Sequence, residues 1–107
     1  MSENKFQILS NAINKMHQRL KINGCVRDIT GPDTRDLRAI IKFIDTQYEI
    51  KEDKEIILEL YNHKLSLEQL YEGIIKIIND DQDEITKVNS ILNILHCIHK
   101  IATTYAI

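Results

Sequence analysis

The sequence contains few of the residues that cross-link or interrupt a small protein: its 107 residues include two cysteines, one proline, three glycines and no tryptophan. The two cysteines, Cys25 and Cys97, exclude the disulfide framework on which small secreted domains depend. Unbroken apolar runs reach two or three residues, whereas a membrane-spanning helix needs roughly 20. No signal-type apolar stretch follows the polar first residues. We therefore expect a cytoplasmic protein with no membrane partner.

Neither sign of charge is in large excess, since the formal net charge is −2. So small a charge gives no general attraction to nucleic acid or to anionic membranes, and we do not expect nucleic acid as a partner. The charges are nevertheless uneven: residues 1–50 contain eight Lys and Arg against six Asp and Glu, whereas residues 51–107 contain six against ten. All four arginines fall within twenty consecutive positions: Arg19, Arg27, Arg35 and Arg38.

Apolar residues are abundant and recur at steps of three and four, which is the period of an α-helix. These stripes predict five helices, over about residues 3–22, 34–49, 52–62, 66–78 and 83–105. Residues 25–33 form the main loop, because Asn23-Gly24 favours the end of a helix and Gly31-Pro32 favours a turn. Val26–Ile29 could extend as a strand, but a lone strand makes no sheet.

The last predicted helix has an apolar arc about 200° wide. A helix with so wide an arc must be surrounded by other helices or shared with a second copy of the chain. We therefore predict an all-α fold, in which residues 1–107 form a single compact bundle of about five helices. The long C-terminal helix is expected to be largely buried.

Candidate metal ligands occur on this last helix, where His96 and His99 flank Cys97. A zinc site needs three or four ligands, and three further residues could contribute: Cys25, Glu59 and His63. Neither a Cys-x-x-Cys pair nor a His-Glu-x-x-His motif is present. On a helical wheel His99 falls inside the apolar arc, His96 at its edge and Cys97 elsewhere. We therefore expect a histidine with a single hydrogen-bond partner, no metal and no cofactor.

The sequence also lacks the arrangements on which catalysis and calcium binding usually depend. It has no Gly-x-Ser-x-Gly motif, and its glycines lie too far apart to cradle a phosphate. The acidic run 80–84 lacks the glycine and the distal glutamate of a calcium-binding loop, and it complements the positive end of the last helix instead. We predict that the protein is not an enzyme.

Residues 55–75 contain the most specific motif of the chain, Glu59-Leu60-Tyr61-Asn62-His63-Lys64-Leu65-Ser66-Leu67-Glu68-Gln69-Leu70. The segment resembles the helix-turn-helix unit of DNA-binding regulators, in which a tight turn leads to a Ser-capped recognition helix. The resemblance implies a transcription regulator that dimerises through helix 83–105. In such a regulator Gln69 would read a base edge, with Lys64 and Lys76 as further DNA contacts.

The segment departs from that family at two positions: Lys64 stands where a turn glycine is usual, and Tyr71 where a small residue is usual. Glu68 and Glu72 would also be repelled by the phosphate backbone, whose contacts dominate DNA affinity. We therefore interpret the segment as an ordinary helical hairpin and keep DNA binding as the alternative.

Arg35 and Arg38 share one face at the start of the second predicted helix, and Arg27 lies in the loop before it. Arginines so placed can hold a phosphate or a partner's carboxylates. Such arginines more commonly form a solvated basic rim, here paired with three acidic neighbours: Asp28, Asp33 and Asp36.

A compact helical domain without catalytic groups is expected to act by contact. We predict a small regulatory or inhibitory protein that binds another protein, and a second possible contact between copies of the chain along helix 83–105. The residues predicted to bind the partner are Arg27, Arg35, Arg38, Tyr48 and Tyr105. Isoleucine occurs 20 times against two valines. This bias is typical of AT-rich coding and suggests a virus, a mobile element or a bacterial immunity system by analogy.

Overall fold

The computed structural model describes residues 4–26 and 29–105. It contains the five predicted helices, α1 (Lys5–Leu20), α2 (Gly31–Tyr48), α3 (Lys54–Asn62), α4 (Leu67–Ile78) and α5 (Glu84–Tyr105). Two strands of two residues each, β1 (Lys21–Ile22) and β2 (Cys25–Val26), lie between α1 and α2. The prediction of an all-α bundle with a long C-terminal helix is confirmed.

The connection after α1 is where the local prediction differs most from the structure. The helix ends at Leu20 because the next residues pair as a minimal antiparallel hairpin, with Lys21 opposite Val26. Asn23 and Gly24 form its turn with φ of 53° and 82°. Positive φ at both central residues is the signature of a tight hairpin turn, which Asn-Gly favours as strongly as it favours a helix end.

Helix α2 begins at Gly31, about one turn earlier than predicted, because Thr30 and Asp33 fix its first turn. The Asp33 carboxylate accepts hydrogen bonds from the Thr30 backbone N–H (3.0 Å) and hydroxyl (2.7 Å). Gly31-Pro32 then forms the first two helical positions, where a proline loses no hydrogen bond. The predicted capping box of α4 is confirmed, since Ser66 and Gln69 bond to each other's backbone N–H.

Helix α5 is the centre of the bundle and packs against α2, α3 and α4, while α1 packs on α2 and α4. Its stripe residues Ile91, Leu95 and Ile98 are each 0% exposed. Cys97 is equally buried, although the wheel placed it outside the apolar arc, because neighbouring helices cover α5 on several sides. Burial of so much apolar surface is the main force that holds the bundle together. Within the described segments, no helix is long and apolar enough to cross a bilayer.

Candidate functional site

A groove of about 670 Å³ runs between α2 and α5 and is also lined by the connection between α2 and α3. Its volume falls within the range of about 300–1,000 Å³ that is usual for ligand sites. Residues of α2 form one wall: Arg35, Arg38, Ala39, Ile41, Lys42 and Asp45. The connection and α5 supply the rest: Ile50, Glu52, Leu92, His96 and His99.

The connection is held over the groove by a buried amide of α5. Asn93 is 2% exposed, and its Oδ1 accepts a hydrogen bond of 2.9 Å from the Asp53 backbone N–H. Asp53 itself caps α3 by accepting from the backbone N–H groups of Glu55 and Ile56. This bond therefore fixes both the start of α3 and the position of the neighbouring Glu52 in the groove.

The cationic side chains of the groove come from one face of α2. Arg35, Arg38 and Lys42 are spaced by three and four residues, so they share a face beside the buried stripe of the helix. All three side chains are exposed. Within residues 4–26 and 29–105, none of the three forms an ion pair or a hydrogen bond through its side chain. The helix thus presents three cations that the rest of the described chain leaves uncompensated.

The acidic residues expected to neutralise these arginines have other partners. Asp36 pairs with Arg19 of α1, and Asp33 is 5% exposed in the first turn of α2, where it bonds to Thr30. Asp28 lies outside the described residues. The paired basic rim that was the alternative to a binding surface is therefore absent for Arg35 and Arg38 in the part of the chain that is described.

The two histidines considered for metal binding face this groove. His96 Nε2 lies 3.9 Å from a carboxylate oxygen of Glu52, which is beyond hydrogen-bond distance. Burial lowers the pKa of His99, and the neighbouring His96 and Arg38 lower that pKa further. Among the described residues, no three His, Cys, Asp or Glu side chains converge as a metal site would require. His99 is thus held in an environment that disfavours its cationic form.

A second, shallower groove of about 450 Å³ lies between α3 and α5. It shares Glu52, His96 and His99 with the first groove, so the two adjoin along this line of residues. It adds two cations, Lys54 and Lys100. We call the two together the double groove.

Sequence reasoning missed Lys42, Lys54, Lys100 and Glu52. The spacing of Lys42 after Arg38 was a local signal that could have found it. The other three come from separate segments and meet only in the folded chain.

Tyr48, which was predicted to bind the partner, lies in the core instead. It is 8% exposed, its hydroxyl donates a 2.9 Å hydrogen bond to Glu84, and Lys5 Nζ lies 4.3 Å from its ring centre. The residue falls on the apolar stripe of α2, which turns it toward α5 and away from solvent. Arg27 and the side chain of Tyr105 lie outside the described residues.

The segment that resembles a helix-turn-helix unit forms a real helical hairpin, but its polar residues serve the hairpin itself. Gln69 Oε1 accepts from the Ser66 backbone N–H at 2.9 Å, and the ring of His63 contacts the Glu59 carbonyl oxygen at 2.7 Å. Lys64 has φ of 54°, so it adopts the backbone conformation that a turn glycine would supply. Lys76 is exposed in the last turn of α4.

The stripe of α5 that could pair with a second copy of the chain is already used within the bundle. Ile91, Leu95 and Ile98 are covered by the chain's own helices. Ile85, near the start of α5, is the large apolar residue of the described part of this helix that stays exposed, at 54%. Little apolar surface therefore remains along α5 for a dimer.

Comparisons of the chain with protein-family models, with curated proteins and with solved structures found no match. Fold alone does not specify function in any case, because one helical bundle can serve many purposes. The function is therefore argued from the double groove and its side chains.

Proposed function

We propose that this protein is a small, non-enzymatic regulatory or inhibitory protein that binds another protein through the groove between α2 and α5. The observation that carries the proposal is the lack of intramolecular partners for Arg35, Arg38 and Lys42 among the described residues. Their charges stand beside apolar side chains in one concave surface. Protein interfaces combine such apolar centres with polar rims, and arginine is enriched in them.

The chemistry of the groove supports binding rather than catalysis. In the described part of the chain, its lining contains no serine, threonine, cysteine or tyrosine that could act as a nucleophile. Its closest approach between an acid and a base is the 3.9 Å separation of Glu52 and His96. The groove thus has the character of a contact surface.

We further propose a cytoplasmic location, which agrees with the scarcity of cysteine. The small size and the excess of isoleucine over valine support an origin in a virus, a mobile element or a bacterial immunity system.

Charge reversal tests the proposal. Arg35→Glu with Arg38→Glu should weaken capture of the partner from an extract of the native host by about tenfold or more, because contacts to charged groups across an interface would become repulsive. Binding is measured by quantitative pull-down on the immobilised protein, with thermal unfolding of each variant as a check on folding.

The matched control is Lys64→Glu with Lys76→Glu, which makes the same change in charge on the α3–α4 hairpin. This control should retain the partner to within about twofold, since surface charges outside an interface act mainly through weak long-range fields. Retention of the partner by the Arg35 and Arg38 variant, or its loss in the control alone, would show that the groove is not the contact surface.

A further inference from the structure

The double groove is basic in a protein that is acidic overall. Its described lining has five cations, namely Arg35, Arg38, Lys42, Lys54 and Lys100, and two carboxylates, Asp45 and Glu52. The whole chain has a formal net charge of −2. Concave surfaces lined by one sign of charge focus the electric field and select ligands of the opposite sign. The local excess of positive charge therefore indicates an anionic occupant.

The double groove also has apolar surface between its charges. Ile41 and Ile50 are half-buried in the first groove, and Leu58 is exposed in the second. A ligand that buried its charges against the arginines and left these aliphatic groups in water would forgo the hydrophobic contribution, which is about 25 cal/mol per Å². The fitting occupant carries both acidic and apolar side chains.

Resting on the proposed function, we infer that the double groove binds an acidic, amphipathic segment of a partner protein. Its carboxylates meet Arg35, Arg38 and Lys42, its apolar side chains cover Ile41 and Ile50, and the segment continues over His96 and His99 into the second groove. An amphipathic helix laid in a groove is a common form of such recognition.

The lining of the double groove disfavours a nucleic acid as the occupant. Asp45 and Glu52 stand among the cations, where they would repel a continuous phosphate backbone. Among the described residues, the lining of both grooves contains no Phe, Tyr or Trp. Proteins that bind single strands usually stack bases on such aromatic rings. A peptide can place single carboxylates beside the cations and avoid the two acids.

Binding of such a segment should draw protons onto His99. In the free protein burial, His96 and Arg38 hold the pKa of His99 low. Glu52, Lys54 and Lys100 are the other charged groups that share the second groove with it. A bound carboxylate adds an opposite charge and favours the protonated ring. Affinity should therefore rise as the pH falls through the pKa that His99 has in the complex, toward the lower pKa that it has in the free protein.

A synthetic peptide tests the inference without a known partner. We suggest a Glu- and Leu-containing helix of about 12 residues, roughly 18 Å long, titrated into the ¹⁵N-labelled protein and followed by amide shifts. We expect saturable, salt-sensitive binding, with the largest shifts in α2 and α5. Arg35→Glu with Arg38→Glu should weaken this binding about tenfold, and Lys64→Glu with Lys76→Glu should not.

Three further ligands separate the sources of affinity. Two of them should bind more weakly than the peptide. A version with Gln in place of Glu lacks the carboxylates, and an oligoglutamate lacks the apolar side chains. A single-stranded RNA of similar length should bind more weakly still. His99→Gln should abolish the rise in affinity toward low pH. His63→Gln, which changes an exposed histidine of the α3–α4 hairpin, should leave that rise intact.

The inference is overturned if the Glu- and Leu-containing peptide fails to bind, if it binds the Arg35 and Arg38 variant equally well, or if the RNA binds more tightly. A host partner that depends on Arg35 and Arg38 but that the peptide cannot displace would leave the proposed function intact and refute the acidic segment. A captured partner that binds the Arg35 and Arg38 variant as tightly as the unchanged protein would refute the proposed function itself.

Discussion

The groove between α2 and α5 and the hairpin of α3 and α4 both carry polar side chains that attract a functional interpretation. They differ in what those side chains do within the chain. In the hairpin Gln69 caps α4 and the His63 ring contacts a backbone carbonyl. In the groove Arg35 and Arg38 have no side-chain partner among the described residues. Polar groups that satisfy their own backbone serve folding, whereas charges left unpaired in a concave surface are available to a ligand.

The largest effect that separates the two regions is on stability. Leu70 of α4 is 2% exposed, so Leu70→Ala leaves a cavity in the core and should cost about 2–5 kcal/mol of unfolding free energy. Arg35→Ala with Arg38→Ala should change that free energy by less than about 0.5 kcal/mol, because both side chains are exposed and unpaired. Chemical denaturation of the three proteins measures both values. A large loss on removing the arginines would mean that they support the fold.

A smaller effect is expected at the turn of the hairpin. Lys64 has φ of 54°, a conformation that glycine adopts without steric cost. Lys64→Gly should therefore stabilise the protein by about 0.5–1 kcal/mol, less whatever entropy the glycine adds to the unfolded chain. Thermal unfolding measures this gain in stability. The control is Lys51→Gly, which makes the same substitution at an exposed position before α3. Destabilisation by Lys64→Gly alone would show that this lysine contributes a contact beyond the turn.

The smallest effect is a dependence of stability on pH at the interface between α1 and α4. His17 stacks on Tyr71 with ring centres 5.2 Å apart. Burial and then Lys21 lower the pKa of His17 from its ordinary value of 6.5. The unfolded chain therefore binds this proton more readily than the folded protein. The stability gained from a neutral His17 is full above about pH 6.5 and is lost as the pH falls below that value.

His17→Gln should flatten this part of the stability–pH curve, and His63→Gln, which alters an exposed histidine of the hairpin, should not. Denaturation midpoints between about pH 7.5 and 5.5 provide the measurement, because histidine titrates in this interval. An unchanged curve for His17→Gln would mean that another group is responsible.

The sequence predicted the helices well because their cores follow a local rule. Residues such as Ile91, Leu95 and Ile98 repeat at helical steps, and the same rule placed α5 at the centre. Helix ends were less predictable, since Asn23-Gly24 suits a helix end and a hairpin turn equally. The burial of Cys97 also escaped prediction, because a wheel describes one helix and not the helices packed around it.

The candidate site was predictable only where its residues are neighbours in sequence. The spacing of Arg35 and Arg38 indicated a shared basic face, and His96 with His99 indicated a second cluster. Their meeting in one groove, together with Glu52, Lys54 and Lys100, depends on how α2 and α3 pack on α5. No local pattern contains that information. It requires the tertiary structure.

Site-specific photo-crosslinking compares the two regions most directly. A benzophenone amino acid is placed at Ala39, which is exposed in the groove, or at Glu72, which is exposed on α4. Both versions are illuminated in the native host. We predict a crosslink to a protein from position 39 and none of comparable yield from position 72. A crosslink confined to position 72, or one to DNA from that position, would contradict the assignment of function to the groove.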